Sequence, residues 1–213
     1  MSIFPHRFDA ARILNCVSYD KIAQSWAQVR RELEVDECRL VNILIEGVAS
    51  DERVLDLGCG TGSPIDQYIL TRGMQLTGVD QSENMLKIAR HNIPNGEWLK
   101  SSIEAFRPSG VYAAAIAWDS IFHVPRQEHF KIFSRTRDAL RSGGRFLLTV
   151  GGSEHPPFTG SMFGSLFFFD SFPPSTAVSF LELAGYKIIH TEFVDPPTEG
   201  RDKGRFAIVA EAV

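Results

Sequence analysis

Cysteine is scarce in this chain of 213 residues: there are three, Cys16, Cys38 and Cys59, and no two stand at metal-ligand spacing. An odd count of this kind argues against a disulfide framework or a zinc site, so reduced thiols and no metal are expected. Long apolar runs are also missing. None reaches the roughly 20 residues of a spanning helix, and the start Met1-Ser2-Ile3-Phe4-Pro5-His6-Arg7 lacks the apolar core of a secretion signal. No membrane partner and a cytoplasmic location are therefore expected. Positive charge is not in surplus either: 22 Lys and Arg face 26 Asp and Glu, a net charge of -4, which argues against a nucleic-acid partner. No internal repeat or low-complexity tract occurs.

What is present is a chain with 44% hydrophobic residues, suited to a single α/β domain over 1–213. Residues 1–50 read as a helical cap. From Arg53 onward, apolar β-like runs alternate with helical patterns, the mark of a mostly parallel sheet covered on both faces. Strands are expected near 53–57, 75–79, 96–99, 111–117, 144–151, 186–194 and 205–212. Helices fall between them: one from about Pro64 to Arg72, one opening at Ser82, one through Phe130, Phe133, Arg137 and Leu140, and one at Ser175. Gly143 and Gly185 are read as left-handed caps that stop the last two. The turn-rich segment from Asp195 to Gly204 is too short for a crossover helix, so the last two strands should form an antiparallel hairpin.

The chemistry concentrates at Val54-Leu55-Asp56-Leu57-Gly58-Cys59-Gly60-Thr61-Gly62. A buried strand runs into a glycine turn with an acid at its entrance, and bare backbone there lets a ligand lie directly on the main chain. The dinucleotide fingerprint asks for a glycine at the sixth position, where this chain has Ser63. A phosphate loop needs a following Lys-Ser or Lys-Thr, which is absent, and Asp56 would repel a phosphate. A ligand bearing positive charge, or hydroxyl and amino donors, suits the turn. Cys59 reads as a compact packing residue within it.

The pattern Asp56, Gly58, Gly60, Gly62 resembles the cofactor loop of class I S-adenosylmethionine-dependent methyltransferases of the small-molecule type. Leu76-Thr77-Gly78-Val79-Asp80 is similar to that family's second strand, whose terminal acid accepts hydrogen bonds from the ribose hydroxyls. The alternatives for the two acids are a surface turn carboxylate and a helix cap. The resemblance covers about residues 50–213. It implies a three-layer Rossmann-like sandwich with a seven-stranded, mostly parallel sheet ending in an antiparallel hairpin, and S-adenosyl-L-methionine as cofactor. By position, the resemblance places Gln81, Met85 and Trp118 around the cofactor and the adenine at Ser102 and Ile103. The serine departs from the acidic residue common there, and a plain loop serine is the other reading.

After the fourth strand comes Ala117-Trp118-Asp119-Ser120-Ile121-Phe122-His123-Val124-Pro125, where the resemblance places the reactive methyl group. It is not the Asn/Asp-Pro-Pro-aromatic tetrad of the DNA and protein amino-group methylases. His123 is the first general-base candidate, with Asp119 and His155 behind it, and simple packing is the alternative for His123. Tyr19-Asp20-Lys21-Ile22-Ala23 resembles an element found before the first strand in many small-molecule methyltransferases. Tyr19 would touch cofactor or substrate and Arg30 the methionyl carboxylate, unless this is an amphipathic packing helix with Trp26 buried. The loop 152–174 holds six of the 16 phenylalanines. It reads as a structureless lid or wall for a hydrophobic or aromatic acceptor, against a dimer contact or an inserted strand that packs internally. The expected partner is a small-molecule acceptor, and the protein a monomer or homodimer. Two other functions stay open: an NAD-dependent oxidoreductase, and a non-catalytic S-adenosylmethionine-binding subunit.

Overall fold

The computed structural model describes residues 5–198 and 203–213. In chain order the strands are β1 (Arg53–Leu57), β2 (Gln75–Asp80), β3 (Glu97–Lys100), β4 (Tyr112–Ala117), β5 (Leu140–Gly151), β6 (Phe158–Met162), β7 (Ser165–Phe169), β8 (Tyr186–Asp195) and β9 (Arg205–Ala212). The helices are α1 (Pro5–Val29), α2 (Val35–Ile45), α3 (Ile65–Thr71), α4 (Glu83–Asn92), α5 (His129–Ala139) and α6 (Pro174–Leu183). Seven strands make one sheet in the order β3-β2-β1-β4-β5-β9-β8. The first five are parallel; β9 pairs antiparallel with both β5 and β8. The sheet ends in the expected hairpin, although residues 199–202 of its turn lie outside the described residues.

Position in the sheet explains the sequence patterns. Central β4, Tyr-Ala-Ala-Ala-Ile-Ala, is buried along its whole length because both faces are covered, so it reads as one apolar run. Edge strand β8 alternates less exposed with exposed positions, as a strand with one open face does. Phe133 and Leu181 of α5 and α6 pack with Leu55, Leu57, Phe146 and Leu148 on one face. Leu44, Ile69 and Leu86 of α2, α3 and α4 pack with Val54 and Leu147 on the other. This is the three-layer Rossmann-like sandwich.

Two expectations need correction. Gly143 has a left-handed φ of +69° but does not cap α5, which stops at Ala139. The chain passes from α5 into the irregular start of β5, where the pairing with β4 shifts between Tyr112 and Ala114. Gly185, at φ +91°, does follow the end of α6.

The segment 152–174 is not structureless. It contains a two-stranded antiparallel hairpin, β6 with β7, in the register Phe158 to Phe169 through Met162 to Ser165. Phe163 and Gly164 at the tip both have positive φ, as a two-residue type I′ turn requires. The inward ring of Phe167 is fully buried while Leu166 beside it is exposed, an alternation masked by the density of phenylalanine. Polar residues of α1 satisfy the backbone of β7. Asn15 Nδ2 donates to the Phe168 carbonyl at 3.1 Å and its Oδ1 accepts from the Phe168 N–H at 2.8 Å. Ser18 Oγ donates to the Leu166 carbonyl at 2.6 Å. Hairpin and N-terminal helix thus dock as one cap.

Candidate active site

The parallel strands end on the side where β1 gives way to the glycine turn. There the N–H groups of Gly58 and Cys59 both reach the Val79 carbonyl, at 2.7 and 3.1 Å. Glycine is required at two places. Gly58 has φ +90°, and a Cβ there would stand 2.3 Å from Ser120 Cβ; Gly62 has φ +73°, and its Cβ would meet the Trp98 ring at 2.6 Å. The turn is pressed between Ser120 on one side and Trp98 on the other. Its remaining face is open to a cavity.

Asp80, the last residue of β2, accepts from the Gly60 N–H at 2.9 Å and from the Ser82 N–H at 2.7 Å. These two bonds fix the carboxylate against the turn and favour its charge. Burial acts the other way and prevails, pushing Asp80 up to about 6. Ser82 caps α4 through its hydroxyl, which accepts from the Met85 N–H, and donates to Asp20 Oδ1 at 2.6 Å. Asp20 therefore ties α1 to the start of α4 and brings the neighbouring Tyr19 to the cavity.

The acid at the entrance of the turn, Asp56, is buried at the end of β1 and is pushed up to about 7, chiefly by burial. Beside it stands Asp66 of α3, 1% exposed and raised well above the usual carboxylate range by burial and by Asp56. Both line the cavity. The sequence reading missed Asp66. Its only signal was an acid in the first turn of a helix, an ordinary place for one.

Most of the expected residues converge. The cavity wall includes Tyr19, Arg30, Asp56, Gly58, Cys59, Gly60, Gly62, Asp80, Gln81, Met85, Ile103, Trp118, Asp119 and His123. Ser102 is not among them; its neighbours Ile103 and Glu104 are, and the Ser102 hydroxyl is buried without a hydrogen-bond partner. Arg30 reaches the wall with its guanidinium held by Glu37, at 2.8 and 2.6 Å. Cys59 is pushed well above the ordinary thiol range, first by burial and then by Asp80, Asp66 and Asp56, so its thiol stays protonated and inert.

The proton-transfer candidates are committed elsewhere. Asp119 Oδ2 accepts from Arg205 at 2.5 Å and Oδ1 accepts from the Thr149 hydroxyl at 3.1 Å. Burial still raises Asp119 despite Arg205. His123 Nδ1 lies 2.9 Å from the Phe168 carbonyl, which can only accept, so Nδ1 carries the proton. Nε2 then accepts from the Tyr19 hydroxyl at 2.8 Å. Burial lowers His123 to about 4, leaving it neutral at physiological pH. Around this pair stand the rings of Phe167, 4.8 Å from Tyr19, and Phe169, 4.7 Å from His123. His155 is buried, and its Nδ1 bonds to the Pro156 carbonyl.

The donor set suits a ligand with both polar and cationic groups. Asp56 Oδ1, Gln81 Oε1 and the Trp118 indole N–H are buried on the cavity wall without protein partners. Met85 and Ile103, both buried, add apolar surface to the same cavity wall as Asp80 and Gln81. Among the described residues no cluster of metal-ligating side chains occurs and no helix is long and apolar enough to cross a membrane.

Residues 54–144, which carry the acid-flanked turn, match the family model described as methyltransferase domain. Trans-aconitate 2-methyltransferase of Rhizobium rhizogenes (strain K84) is 32% identical over 95 residues, 44% of this chain and 36% of that protein. Ubiquinone biosynthesis O-methyltransferase of Bordetella pertussis (strain Tohama I) is 35% identical over 85 residues, 37% of this chain and 35% of that protein. The chain thus spans about a third of the length of these curated relatives. Magnesium protoporphyrin IX methyltransferase from Synechocystis PCC 6803, solved with bound SAM, has the same fold. It superposes with a TM-score of 0.71 at 17% identity, covering 99% of this chain and all of that one.

Proposed function

We propose that the protein transfers a methyl group from S-adenosyl-L-methionine to a small-molecule acceptor. One observation carries this reading: two carboxylates, Asp56 and Asp80, stand at the tips of adjacent strands on either side of a glycine turn whose open face is a cavity. Asp80, held by two backbone N–H groups, keeps acceptor capacity for a ribose diol. Ile103 and Met85 cover an adenine ring. Asp56 and the main chain of Gly58 to Gly62 take the methionyl end. When bound, the cofactor supplies an electrophilic methyl group on a positively charged sulfur.

The chain's own contribution is to orient and enclose. Trp118 and Tyr19 wall the side facing Asp119 and His123, with the Phe167 and Phe169 rings packed behind Tyr19 and His123, which suits a hydrophobic or aromatic acceptor. Excluding water and fixing the approach line contributes up to ~7 to 11 kcal/mol in favourable systems. His123, neutral and hydrogen-bonded at both ring nitrogens, orients the Tyr19 hydroxyl instead of taking a proton. Arg205 and Thr149 hold Asp119 as a wall group. Helix α1 and the hairpin serve as the cap of the site.

The names of the relatives, acting on trans-aconitate and a ubiquinone precursor step, support a small-molecule acceptor. Calorimetry of the full chain against S-adenosylhomocysteine and NAD tests the cofactor, with binding of the first and not the second expected. The reverse result would sink the reading in favour of an oxidoreductase. A panel of aromatic and carboxylic acceptors with methylation read by mass spectrometry then tests turnover, and binding with no transfer across the panel would favour a non-catalytic subunit.

A further inference from the structure

Asp66 is a buried carboxyl whose oxygens meet no N–H or hydroxyl donor among the described residues. Neither of its oxygens has a hydrogen-bond donor, and neither does Oδ1 of Asp56. Yet the two side chains are close enough to hydrogen-bond to each other. One proton shared between the two carboxyls accounts for both facts, because two ionised carboxylates have nothing to donate to each other. The remaining charged groups nearby do not relieve the pair. Asp80 and the Cys59 thiol face it from β2 and the turn and add negative charge or none. Farther along the same cavity, Arg30 is engaged by Glu37, Arg205 by Asp119, and Tyr19 and His123 form a neutral pair.

We propose that Asp66 and Asp56 are a proton-sharing carboxyl pair that binds the α-ammonium group of the cofactor's methionyl end and gives up a proton as it does so. This rests on the methyl-donor reading above. Before binding, the shared proton supplies the only donor between the two side chains. An ammonium group brings three N–H donors and a positive charge to the same place, so the proton between the carboxyls becomes superfluous and passes to solvent. The balance is one cation in and one proton out. Burial has already raised both acids, Asp56 to about 7, so the proton is present at neutral pH and available to leave. A structural role alone would leave the proton in place.

Calorimetry of the full chain with S-adenosylhomocysteine decides this. Titrations are run in phosphate and in Tris between about pH 5.5 and 7.5, below the range near 7.7 to 8.0 where α-amino groups titrate. The expected result is release of up to about one proton per ligand and a Kd that tightens as pH rises, by as much as about tenfold per pH unit. 5′-Methylthioadenosine, which lacks the ammonium group but brings the same ribose to Asp80, sets the baseline, and proton release with S-adenosylhomocysteine should exceed that baseline by up to about one per ligand. Asp66→Asn places a permanent amide donor beside Asp56, so its proton release and pH profile with S-adenosylhomocysteine should fall to the 5′-methylthioadenosine baseline. Binding without proton release beyond that baseline in the wild type overturns the pair while leaving the cofactor reading intact; so does wild-type release in Asp66→Asn. No binding of S-adenosylhomocysteine at any pH overturns the cofactor reading and this inference with it.

Discussion

Gly58→Ala is the substitution whose cost the structure specifies most fully. Residue 58 sits at φ +90°, where an L side chain is strained by about 1–2 kcal/mol. The added Cβ would also lie 2.3 Å from Ser120 Cβ and 3.0 Å from its hydroxyl. Ser120 cannot easily retreat, because it is buried and its hydroxyl donates to the Leu57 carbonyl at 2.6 Å. Overpacking of this kind costs about 1–3 kcal/mol. The sum is a loss of about 2–5 kcal/mol, or about 4–20 °C in Tm for a chain of this size. Urea and thermal unfolding of Gly58→Ala, Ser120→Gly and the double variant measure it as a cycle. Ser120→Gly removes the clashing Cβ but leaves the φ strain, so the double variant should recover about 1–3 kcal/mol relative to additivity. A Gly58→Ala loss under about 0.5 kcal/mol, or strict additivity in the cycle, would refute the claim that Ser120 and the backbone angle jointly demand glycine.

Tyr19→Phe should leave the affinity for S-adenosylhomocysteine within about threefold while lowering stability by about 1–3 kcal/mol, because His123 Nε2 loses its donor in a buried setting; a large loss of affinity with unchanged stability would place the hydroxyl on the ligand instead. His123 and His129 are both lowered to about 4 by burial, so the stability they contribute is present above the ordinary histidine pKa of about 6.5 and is lost as pH falls toward about 4. Imidazole NMR signals from both should stay at their neutral positions down to about pH 5, and a midpoint near 6.5 for either would contradict its burial. Arg205→Met should cost about 1–3 kcal/mol by chemical denaturation, less than for a fully buried pair because Asp119 keeps 23% of its side-chain surface exposed. Stability unchanged by that substitution would mean the ion pair contributes nothing net.

The cap of the site is assembled by bonds that connect distant parts of the chain. Asn15, fully buried, uses its amide to bind the His123 and Phe168 carbonyls and its oxygen to bind the Phe168 N–H. One side chain therefore fixes α1, the turn carrying His123 and the inner strand of the hairpin against each other. His123 repeats the connection, reaching Phe168 through Nδ1 and Tyr19 through Nε2. Because the three elements share these donors and acceptors, displacing any one leaves buried polar groups of the other two unsatisfied. Displacing the hairpin therefore requires displacing α1 with it.

That interdependence also explains what could be read before the structure was known. The unit β1–turn–α3–β2 was legible because its signals are local: a buried run, glycines that only a tight turn tolerates, a helix of the right length and a second acid in register. The β8–β9 hairpin was legible for the same reason, since ten turn-forming residues cannot hold a crossover helix. The β6–β7 hairpin was harder to read. Its phenylalanines obscure the period of two, and its backbone is completed by Asn15 and Ser18 about 150 residues away. Ser102 and Asp66 fail in opposite directions for one physical reason. After β3 the cavity wall is made by Ile103 and Glu104 and not by Ser102, and the first turn of α3 carries Asp66 inward against Asp56, where an acid would ordinarily face water. Sequence spacing fixes which residues lie near the strand ends, but the choice between facing the cavity and facing the core is made by packing partners elsewhere in the chain.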